Sequence, residues 1–287
     1  MKSGFVAVAG RPNVGKSTLV NALTGAKVAI VSDKPHTTRH EIRGVYTDAD
    51  AQLVLVDLPG WQRPIDTLTE RMQGRVDDAI TADVDAVLLV VNARERIGAG
   101  DKYVARRVFA LGTPVVIVVN QVDRLKPGHI ATQMKTAATL GDFHALHPVS
   151  AKTGDGIDEL RGDLVSLLPD GPLYYPAETD TDMPLEARIS ELVREQALRL
   201  TKEEVPHAVT AEVVELDDKR VHVRLYTETE SQKQILIGKG GTMVREIGRG
   251  ARPHIEALLG HSIYLQLQVK ASPKWRRNET MLERLGL

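Results

Sequence analysis

The first 168 residues alternate short apolar runs with longer amphipathic stretches, the pattern of an α/β domain with a mostly parallel sheet. Apolar runs of strand length predict strands at residues 4–9, 42–47, 52–57, 86–92, 115–120 and 145–149. Helical spacing predicts helices at residues 16–23, 71–81, 101–111, 130–140 and 157–168. The gap between the second and third strands is too short for a crossover helix, so we expect that pair to be antiparallel.

The pattern changes after residue 168. Prolines and acidic residues concentrate in the next sixteen positions, which predicts a linker. Beyond it, the order of elements reads α-β-β-α-α-β, with a hairpin around Asp217 and Asp218 and a last strand of alternating residues. The sequence therefore predicts one domain over residues 1–170, a linker over 171–184 and a smaller α+β domain over 185–287.

Composition excludes several classes of protein. The 287 residues are 42% hydrophobic and 26% charged, which supports two packed domains and excludes low-complexity disorder. The absence of cysteine excludes disulfides, thiolate metal sites and a cysteine nucleophile. The apolar runs are too short for a transmembrane helix or a signal-peptide core, so we expect a cytoplasmic protein.

A glycine-rich segment between the first strand and the first helix matches the pattern GxxxxGK[ST] in full. Such a loop directs backbone N–H groups at phosphate oxygens, and the start of the helix adds partial positive charge. We expect Lys16 to contact the β- and γ-phosphates and Ser17 to bind Mg²⁺. The predicted phosphate-binding residues are Gly10, Arg11, Pro12, Asn13, Val14, Gly15, Lys16, Ser17 and Thr18.

Three further segments follow apolar strands and so face the same ligand. Asp57 precedes Leu-Pro-Gly and would supply the carboxylate for Mg²⁺. Asp123 can accept hydrogen bonds from N1–H and the 2-amino group of guanine, which adenine lacks, so the sequence favours a guanine nucleotide. The remaining predicted base-binding residues are Asn120, Gln121, Ser150, Ala151 and Lys152.

Together these motifs resemble the Era family of bacterial ribosome-assembly GTPases, and the resemblance covers nearly the whole chain. It implies a Ras-like P-loop GTPase domain followed by a type II KH domain. It also implies that Thr38 completes the Mg²⁺ shell, with Thr37 as the alternative, and that Arg39 and His40 position this loop. Lys16, Thr38 and Gly60 are the catalytic residues that the resemblance implies.

Two positions depart from common GTPase patterns. Gln121 stands where the family has lysine, whose stem covers the base; glutamine can still cover the ring, while its effect on affinity is open. Trp61 follows Gly60, where Ras-type GTPases place a water-orienting glutamine. Era-like GTPases are similar in having an apolar residue there. Gln62 lies one place later, and this shift of one residue makes it a weak substitute for the water-orienting glutamine.

The second domain carries a local excess of positive charge although the whole chain has a net charge of -1. Residues 233–277 hold nine Lys or Arg residues and two acidic residues. A Gly-x-x-Gly segment lies within them and resembles the KH loop that grips single-stranded RNA, although alone it could be a helix–turn–helix corner. The predicted RNA-binding residues are Ile237, Gly238, Lys239, Gly240, Gly241, Arg245, Lys274, Trp275 and Arg276. Among them, Trp275 could stack on a base and Arg276 could meet phosphate, although the tail could also be a solvated C-terminal segment.

The resemblance implies a monomeric GTPase that binds GTP, GDP and Mg²⁺, the 3′ region of 16S ribosomal RNA and the 30S subunit. It allows peripheral contact with the inner face of the cell membrane, which composition neither supports nor excludes. Asn13 resembles a position that helps some GTPases bind K⁺, so we hypothesise a potassium-stimulated rate. One alternative is a nucleotide-gated RNA-binding scaffold with negligible hydrolysis. A GTP-driven RNA-modifying enzyme is disfavoured because no further catalytic domain remains.

Overall fold

The computed structural model describes residues 1–34, 36–61, 64–81 and 84–287, and these form two compact units. The first unit contains Met1–Ala29, Thr38–Pro64 and Thr69–Asp182. The second contains Met183–Leu287 together with two short segments of the N-terminal half, Ile30–Thr37 and Ile65–Leu68.

The first unit is built on a six-stranded sheet in the order β2-β3-β1-β4-β5-β6. All neighbouring strands are parallel except β2 and β3, so the predicted antiparallel pair is confirmed. The strands are β1 Lys2–Gly10, β2 Ile42–Thr47, β3 Ala51–Asp57, β4 Ala86–Asn92, β5 Val115–Asn120 and β6 Ala145–Val149. The helices are α1 Lys16–Thr24, α2 Thr67–Thr81, α3 Ala99–Phe109, α4 Pro127–Ala137 and α5 Ile157–Leu167.

The central strands are apolar along their whole length because both faces of the sheet are covered. Every residue of β3, β4 and β5 is buried, as expected for parallel strands between two layers of helices. One face packs on a core that includes Val104 and Val108 of α3. This core fixes the strand ends from which the loops of the functional site leave the sheet.

The proline-rich segment after α5 is bound to the edge of this sheet. The amide groups of Tyr174 and Tyr175 donate to Oε1 of the buried Gln52, at 2.8 and 3.0 Å. Gln52 Nε2 in turn donates to the carbonyl of Tyr175 at 2.9 Å. The Val45 amide donates to the carbonyl of Asp180 at 2.8 Å. Most of the segment predicted as a linker therefore packs with the first unit, which extends to Asp182.

The second unit places helices on one side of a three-stranded sheet, β7-β8-β9. Strands β7 and β8 are antiparallel, and β8 and β9 are parallel. The strands are β7 Thr210–Leu216, β8 Arg220–Thr227 and β9 Tyr264–Ala271. The helices are α6 Leu185–Leu200, α7 Val205–Ala208, α8 Glu230–Ile237, α9 Thr242–Leu259 and α10 Glu279–Arg284. Within the described ranges of both units, no helix is long and apolar enough to cross a membrane.

Helix α6 is buried through most of its length although it carries charged residues. Arg194 forms a paired contact with the carboxylate of Glu191, at 2.8 and 2.6 Å. Its guanidinium also donates to the carbonyl of Thr37. Glu195 accepts a hydrogen bond from the amide of Val31 at 2.9 Å. Through these hydrogen bonds the buried polar side chains of α6 hold segment Ile30–Thr37, which belongs to the second unit.

The structure corrects the prediction for Trp275. The indole is fully buried, and its Nε1 donates to the carbonyl of Ala208 in α7 at 2.8 Å. A ring with no exposed face cannot stack on a base, so the prediction of an RNA-stacking tryptophan is wrong. Trp275 instead attaches the C-terminal segment to the core of the second unit.

We predict that Trp275→Phe destabilises the protein without weakening RNA binding. The variant keeps an aromatic ring but leaves the buried carbonyl of Ala208 without its donor, which costs about 1–3 kcal/mol. Urea unfolding and RNA titration of the folded variant measure the two effects, with the exposed Arg277→Ala as the control for stability. Unchanged stability together with lost RNA affinity would restore the stacking role.

Candidate functional site

The phosphate loop connects β1 to α1 and contains two residues with left-handed backbone conformations. Gly15 has a φ of 93° and Asn13 a φ of 63°, so both lie in the left-handed region. Within the described residues, no side chain caps the N-terminus of α1, which leaves its first N–H groups to bind an anion. Arg11 contributes its backbone rather than its side chain to the phosphate loop, because its guanidinium donates to Asp101 and Glu95 at 3.0 and 3.2 Å.

Three oxygen-bearing side chains meet beside this loop. Ser17 Oγ donates to Asp57 Oδ2 at 2.6 Å and lies 2.8 Å from Thr38 Oγ1. Asp57 Oδ1 is buried and has no hydrogen-bond partner among the described residues. Hydroxyl and carboxylate oxygens are the ligands that Mg²⁺ prefers, and this ion usually keeps several waters and phosphate oxygens as well. The unpartnered carboxylate oxygen fits such an ion, and the structure brings together the three residues predicted to hold it.

Burial shifts the pKa values of the two charged residues at this site. Desolvation lowers the pKa of the Lys16 ammonium to about 8, and the charge of Asp57 only partly offsets that effect. Desolvation also raises the pKa of Asp57 to about 6, against the opposing effects of Lys16 and the Ser17 hydrogen bond. Lys16 Nζ donates to the carbonyls of Gly10 and Arg11, at 3.2 and 3.0 Å. Both side chains thus lose solvation: an anionic phosphate would compensate the Lys16 ammonium, and a metal cation would compensate the Asp57 carboxylate.

Asn120 connects the phosphate loop to the two segments predicted to bind the base. Its Nδ2 donates to the carbonyl of Val14 at 3.0 Å. Its Oδ1 accepts from the amides of Gln121 and Ala151, at 2.8 and 3.2 Å. The role of the asparagine here is to hold three loops together, which sequence alone did not predict.

Asp123 is held beside the third of these loops. Ser150 Oγ donates to Asp123 Oδ1 at 3.0 Å, and Lys152 of the same loop is exposed. Gln121 adopts a left-handed φ of 71°, and a Cβ built on Gly15 would lie 3.6 Å from its Nε2. The Gln121 side chain therefore reaches toward the phosphate loop, where it can cover one face of a base.

The loop after β3 is pinned at Gly60 and Trp61. A Cβ built on Gly60 would lie 2.7 Å from Cα of Pro12, so no larger residue fits. The Trp61 amide donates to the carbonyl of Gly10 at 3.3 Å, and its side chain is only 7% exposed. The guanidinium of Arg107 lies over the indole, 4.4 Å from its centroid. Trp61 therefore packs into the core, and Gln62 lies outside the described residues.

The Gly-x-x-Gly loop of the second unit lies between α8 and α9. Gly238, Gly240 and Gly241 all have left-handed φ values, 73°, 59° and 78°. A Cβ built on Gly238 would lie 2.7 Å from the Met243 nitrogen. Arg245 Nη2 and Nε donate to the carbonyls of Gly240 and Gly241, at 2.8 and 3.1 Å. The loop thus exposes backbone and the Lys239 side chain, while Ile237 before it is partly buried.

A groove between α9 and β9 extends from this loop, and sequence analysis missed most of its residues. Its arginines lie three to four positions apart in the sequence, a spacing that places them on one face of a helix and could have revealed them. The lining residues are Val244, Arg245, Gly248, Arg249, Arg252, Leu265 and Leu267. Positive side chains over an apolar floor suit a nucleic-acid strand, because its bases can stack through their faces and its phosphates are charged.

The predicted residues of the C-terminal tail fall outside this groove. Lys274 is exposed, whereas Arg276 contacts Glu228 at 2.8 Å and Asp66 at 3.1 Å. Because the Arg276 guanidinium is bound to two carboxylates within the second unit, its charge stabilises the fold of that unit. The prediction that Arg276 meets phosphate is therefore not supported by its contacts.

We predict that nucleotide-free protein in EDTA loses stability as the pH rises from about 4 to about 6. The folded state keeps the Asp57 proton up to about pH 6, whereas an unfolded aspartate releases its proton near pH 4. The folded state therefore binds more protons in this window, and the loss totals about 3 kcal/mol. Urea unfolding of the protein and of Asp57→Asn isolates the effect. Parallel pH profiles for the two proteins would contradict the assignment.

Comparison with known proteins agrees with this geometry. Residues 5–121 match the family model described as 50S ribosome-binding GTPase, and residues 202–276 match a KH domain. The chain is 34% identical to Era in complex with MgGDPNP and nucleotides 1506–1542 of 16S ribosomal RNA, with a TM-score of 0.93. It has the same identity and TM-score to a single-residue variant of Aquifex aeolicus Era bound to GDP.AlF4-.

Both matches cover 100% of this chain and 99% of the other. The correspondence thus spans both the α/β unit, with its phosphate loop and the Ser17–Thr38–Asp57 cluster, and the KH unit of this chain. The chain belongs to the Era family of GTPases.

Proposed function

We propose that this chain is a GTPase that binds the 3′ region of 16S ribosomal RNA and couples GTP binding and hydrolysis to assembly of the 30S subunit. One observation carries the proposal. The Ser17–Thr38–Asp57 cluster and the arginine-lined groove occur in one chain whose full length corresponds to Era bound to MgGDPNP and 16S ribosomal RNA.

In the proposed mechanism the first unit binds the triphosphate mainly through preorganised charge. The free N–H groups at the start of α1 and the ammonium of Lys16 stabilise charge on the phosphates. Ser17, Thr38 and Asp57 would hold Mg²⁺, which neutralises phosphate charge when it is bound. Gly60 lies against Pro12 of the phosphate loop, and the resemblance to the family implies that it would contribute to catalysis beside the terminal phosphate.

The side chain of Trp61 takes no part in hydrolysis. The indole is packed against Arg107 and the core, and it has no group that could orient water. We therefore expect a slow intrinsic rate, which a ribosomal partner could raise by about 10³ to 10⁵, as activators do for other GTPases. A scaffold without hydrolysis is the competing function. Single-turnover assays with and without 30S subunits separate the two, because a scaffold releases no phosphate in either case.

The second unit would grip single-stranded RNA at the loop of Gly238–Gly241. KH domains bind about four nucleotides against such a loop, and the arginines of α9 continue positive charge along the groove. A monomeric state and peripheral contact with the inner face of the cell membrane stay predictions, and we expect the protein to act in the cytoplasm.

We predict that Asp123→Asn exchanges guanine for xanthine. The amide oxygen can still accept from Ser150, so the loop is kept, while the amide nitrogen now faces the guanine amine as a second donor. GTP affinity should fall about 100-fold, and xanthosine triphosphate should bind, because it offers a carbonyl at that position. Competition binding with GTP, xanthosine triphosphate and ATP measures this. Equal binding of GTP and ATP by the unmodified protein would refute guanine selection.

We predict that K⁺ accelerates hydrolysis relative to Na⁺ at matched ionic strength. Asn13 lies in the phosphate loop, and it resembles a position that helps some GTPases bind K⁺ near the phosphates. Asn13→Ala should abolish the difference between the two salts. Identical rates of phosphate release in K⁺ and Na⁺ by the unmodified protein would remove the hypothesis.

We predict that the double variant Lys239→Asp/Gly240→Asp loses RNA binding but keeps GTP affinity within about twofold. No heavy atom lies within 4 Å of a Cβ built on Gly240, and aspartate tolerates the left-handed conformation. The fold should therefore survive while two negative charges repel the RNA backbone. The control Lys239→Asn/Gly240→Asn has similar shape without the charge. Normal RNA binding by the aspartate variant would exclude this loop as the contact.

A further inference from the structure

Two carboxylates beside the phosphate loop hold the side chain of Arg11. Arg11 Nη1 donates to Asp101 Oδ2 at 3.0 Å, and Nη2 donates to Glu95 Oε2 at 3.2 Å. Both carboxylates follow β4, because Glu95 lies in the segment 93–98 and Asp101 lies in the first turn of α3. The side chain therefore leaves the phosphate loop and joins it to a neighbouring part of the first unit. We call this pair of contacts the Arg11 clamp.

The two contacts of the clamp differ in burial. The Glu95 side chain is 52% exposed, whereas the Asp101 side chain is only 5% exposed. An exposed ion pair contributes little because water solvates both charges, while a buried carboxylate depends on its partners. Asp101 Oδ2 also accepts from the Gly98 amide at 2.9 Å, which fixes the carboxylate at the start of α3. Asp101 is therefore the residue that determines where the guanidinium lies.

The segment between β4 and α3 is itself fixed to the rest of the first unit. The Ala93 amide donates to the carbonyl of Asn120, at the end of β5, at 2.8 Å. Gln133 of α4 donates through Nε2 to the carbonyl of Glu95 at 3.0 Å. The Arg11 clamp thus attaches the phosphate loop to a segment that β5 and α4 hold in place.

The stem of Arg11 lies directly on the backbone of α3. A Cβ built on Gly100 would lie 2.9 Å from Arg11 Cδ and 3.3 Å from Nε, so a larger residue would displace the stem. One position earlier in the loop, a Cβ built on Gly10 would lie 2.6 Å from the carbonyl oxygen of Val90 in β4. The loop is therefore in close contact with β4 at Gly10 and with α3 at Arg11.

The backbone of Arg11 contacts the lysine of the phosphate site. The Arg11 carbonyl accepts from Lys16 Nζ at 3.0 Å, and the Gly10 carbonyl accepts from it at 3.2 Å. Lys16 is buried, so these carbonyls replace water around its ammonium. Asp101 thus holds the side chain of Arg11, while the backbone of Arg11 orients the ammonium that meets the phosphates.

We propose that Asp101 is a positioning residue for nucleotide binding. Its own negative charge would repel a phosphate, so it acts only through the Arg11 clamp, which keeps the free phosphate loop in the conformation that accepts a nucleotide. When the clamp is broken, the loop is competent for a smaller fraction of the time, and the apparent affinity falls by that fraction. Bound phosphates then hold the loop themselves, so hydrolysis at saturating GTP is unaffected. The proposal rests on the proposed GTP binding.

Local charge alone predicts the opposite result for Asp101. The clamp contains one positive and two negative groups, and removal of a carboxylate near the phosphate loop should strengthen the binding of an anion. Asp101→Asn would then tighten GDP. If Asp101 positions the loop, the same substitution weakens GDP, because a neutral amide holds a guanidinium less strongly than a carboxylate does. The sign of the change in affinity separates the two explanations.

The test measures binding of a fluorescent GDP analogue to the full-length protein by stopped flow in Mg²⁺. Asp101→Asn should lower the association rate about fivefold and leave the dissociation rate unchanged, because the clamp acts on the free loop. The KM for GTP should rise by the same factor with kcat unchanged, since hydrolysis is slow. Gly100→Ala should reproduce this loss, because it displaces the Arg11 stem without a change in charge, and alanine favours a helix more than glycine does.

Glu95→Gln is the matched control. It removes the same charge from the same guanidinium at the exposed contact, so GDP affinity should stay within about twofold. Urea unfolding confirms that each variant is folded, and Gly100→Ala alone decides if Asp101→Asn is not.

Three results would overturn the proposal. Asp101→Asn would bind GDP as tightly as the unmodified protein or more tightly, or would lower kcat without raising KM. Alternatively, Gly100→Ala would bind GDP normally, which would assign any loss in Asp101→Asn to the start of α3 rather than to Arg11. If the unmodified protein binds neither GDP nor GTP, the proposed GTPase function itself fails.

Discussion

The parallel register of β1 with its two neighbours is the constraint on which the nucleotide site depends. Val8 lies opposite Asp57 of β3, and Gly10 lies opposite Val90 of β4. The phosphate loop and the carboxylate therefore leave the sheet at the same edge, and β5 brings Asn120 to it. Because side chains alternate along a strand, a slip of one residue would turn Asp57 away from Ser17. The apolar faces of these strands, which set the register, thus determine the positions of the site residues as well as the packing of the core.

That fixed site has an energetic cost in the absence of ligand. Lys16 and Asp57 are buried charges, and Asp57 Oδ1 has no partner among the described residues. Asn13 and Gln121 occupy left-handed conformations that non-glycine residues seldom adopt. A ligand that solvates the charges and contacts these loops recovers part of this cost. Nucleotide binding should therefore stabilise the folded first unit, by a free energy that grows with the logarithm of the ratio of nucleotide concentration to Kd.

The sequence predicted those parts of the fold that local pattern controls. The predicted bounds of the buried strands and of the phosphate loop lie close to the observed ones, because apolar runs and glycines indicate these elements directly in the sequence. Helix α2 begins at Thr67, four residues before the predicted start, although Leu68 already shares the i, i+4, i+8 spacing of Met72 and Val76. The error at Trp275 has a different origin, because its partner Ala208 is 67 positions away and a basic tail gives no sign of that packing. Of the arginine row of α9, Arg245 was predicted to bind RNA, whereas Arg249 and Arg252 were counted only as charge although their spacing places them on the same face of the helix.

Two neighbouring residues of the predicted switch, Thr37 and Thr38, belong to different units. Thr38 belongs to the first unit, where its hydroxyl contacts Ser17. Thr37 belongs to the second, where its carbonyl accepts from Arg194. Arg194 is itself fixed by Glu191, and separating a buried pair costs several kcal/mol. Loss of the terminal phosphate releases switch loops in GTPases. Within the second unit, α6 holds the residue next to Thr38 and packs against α9, the helix that carries the arginine row.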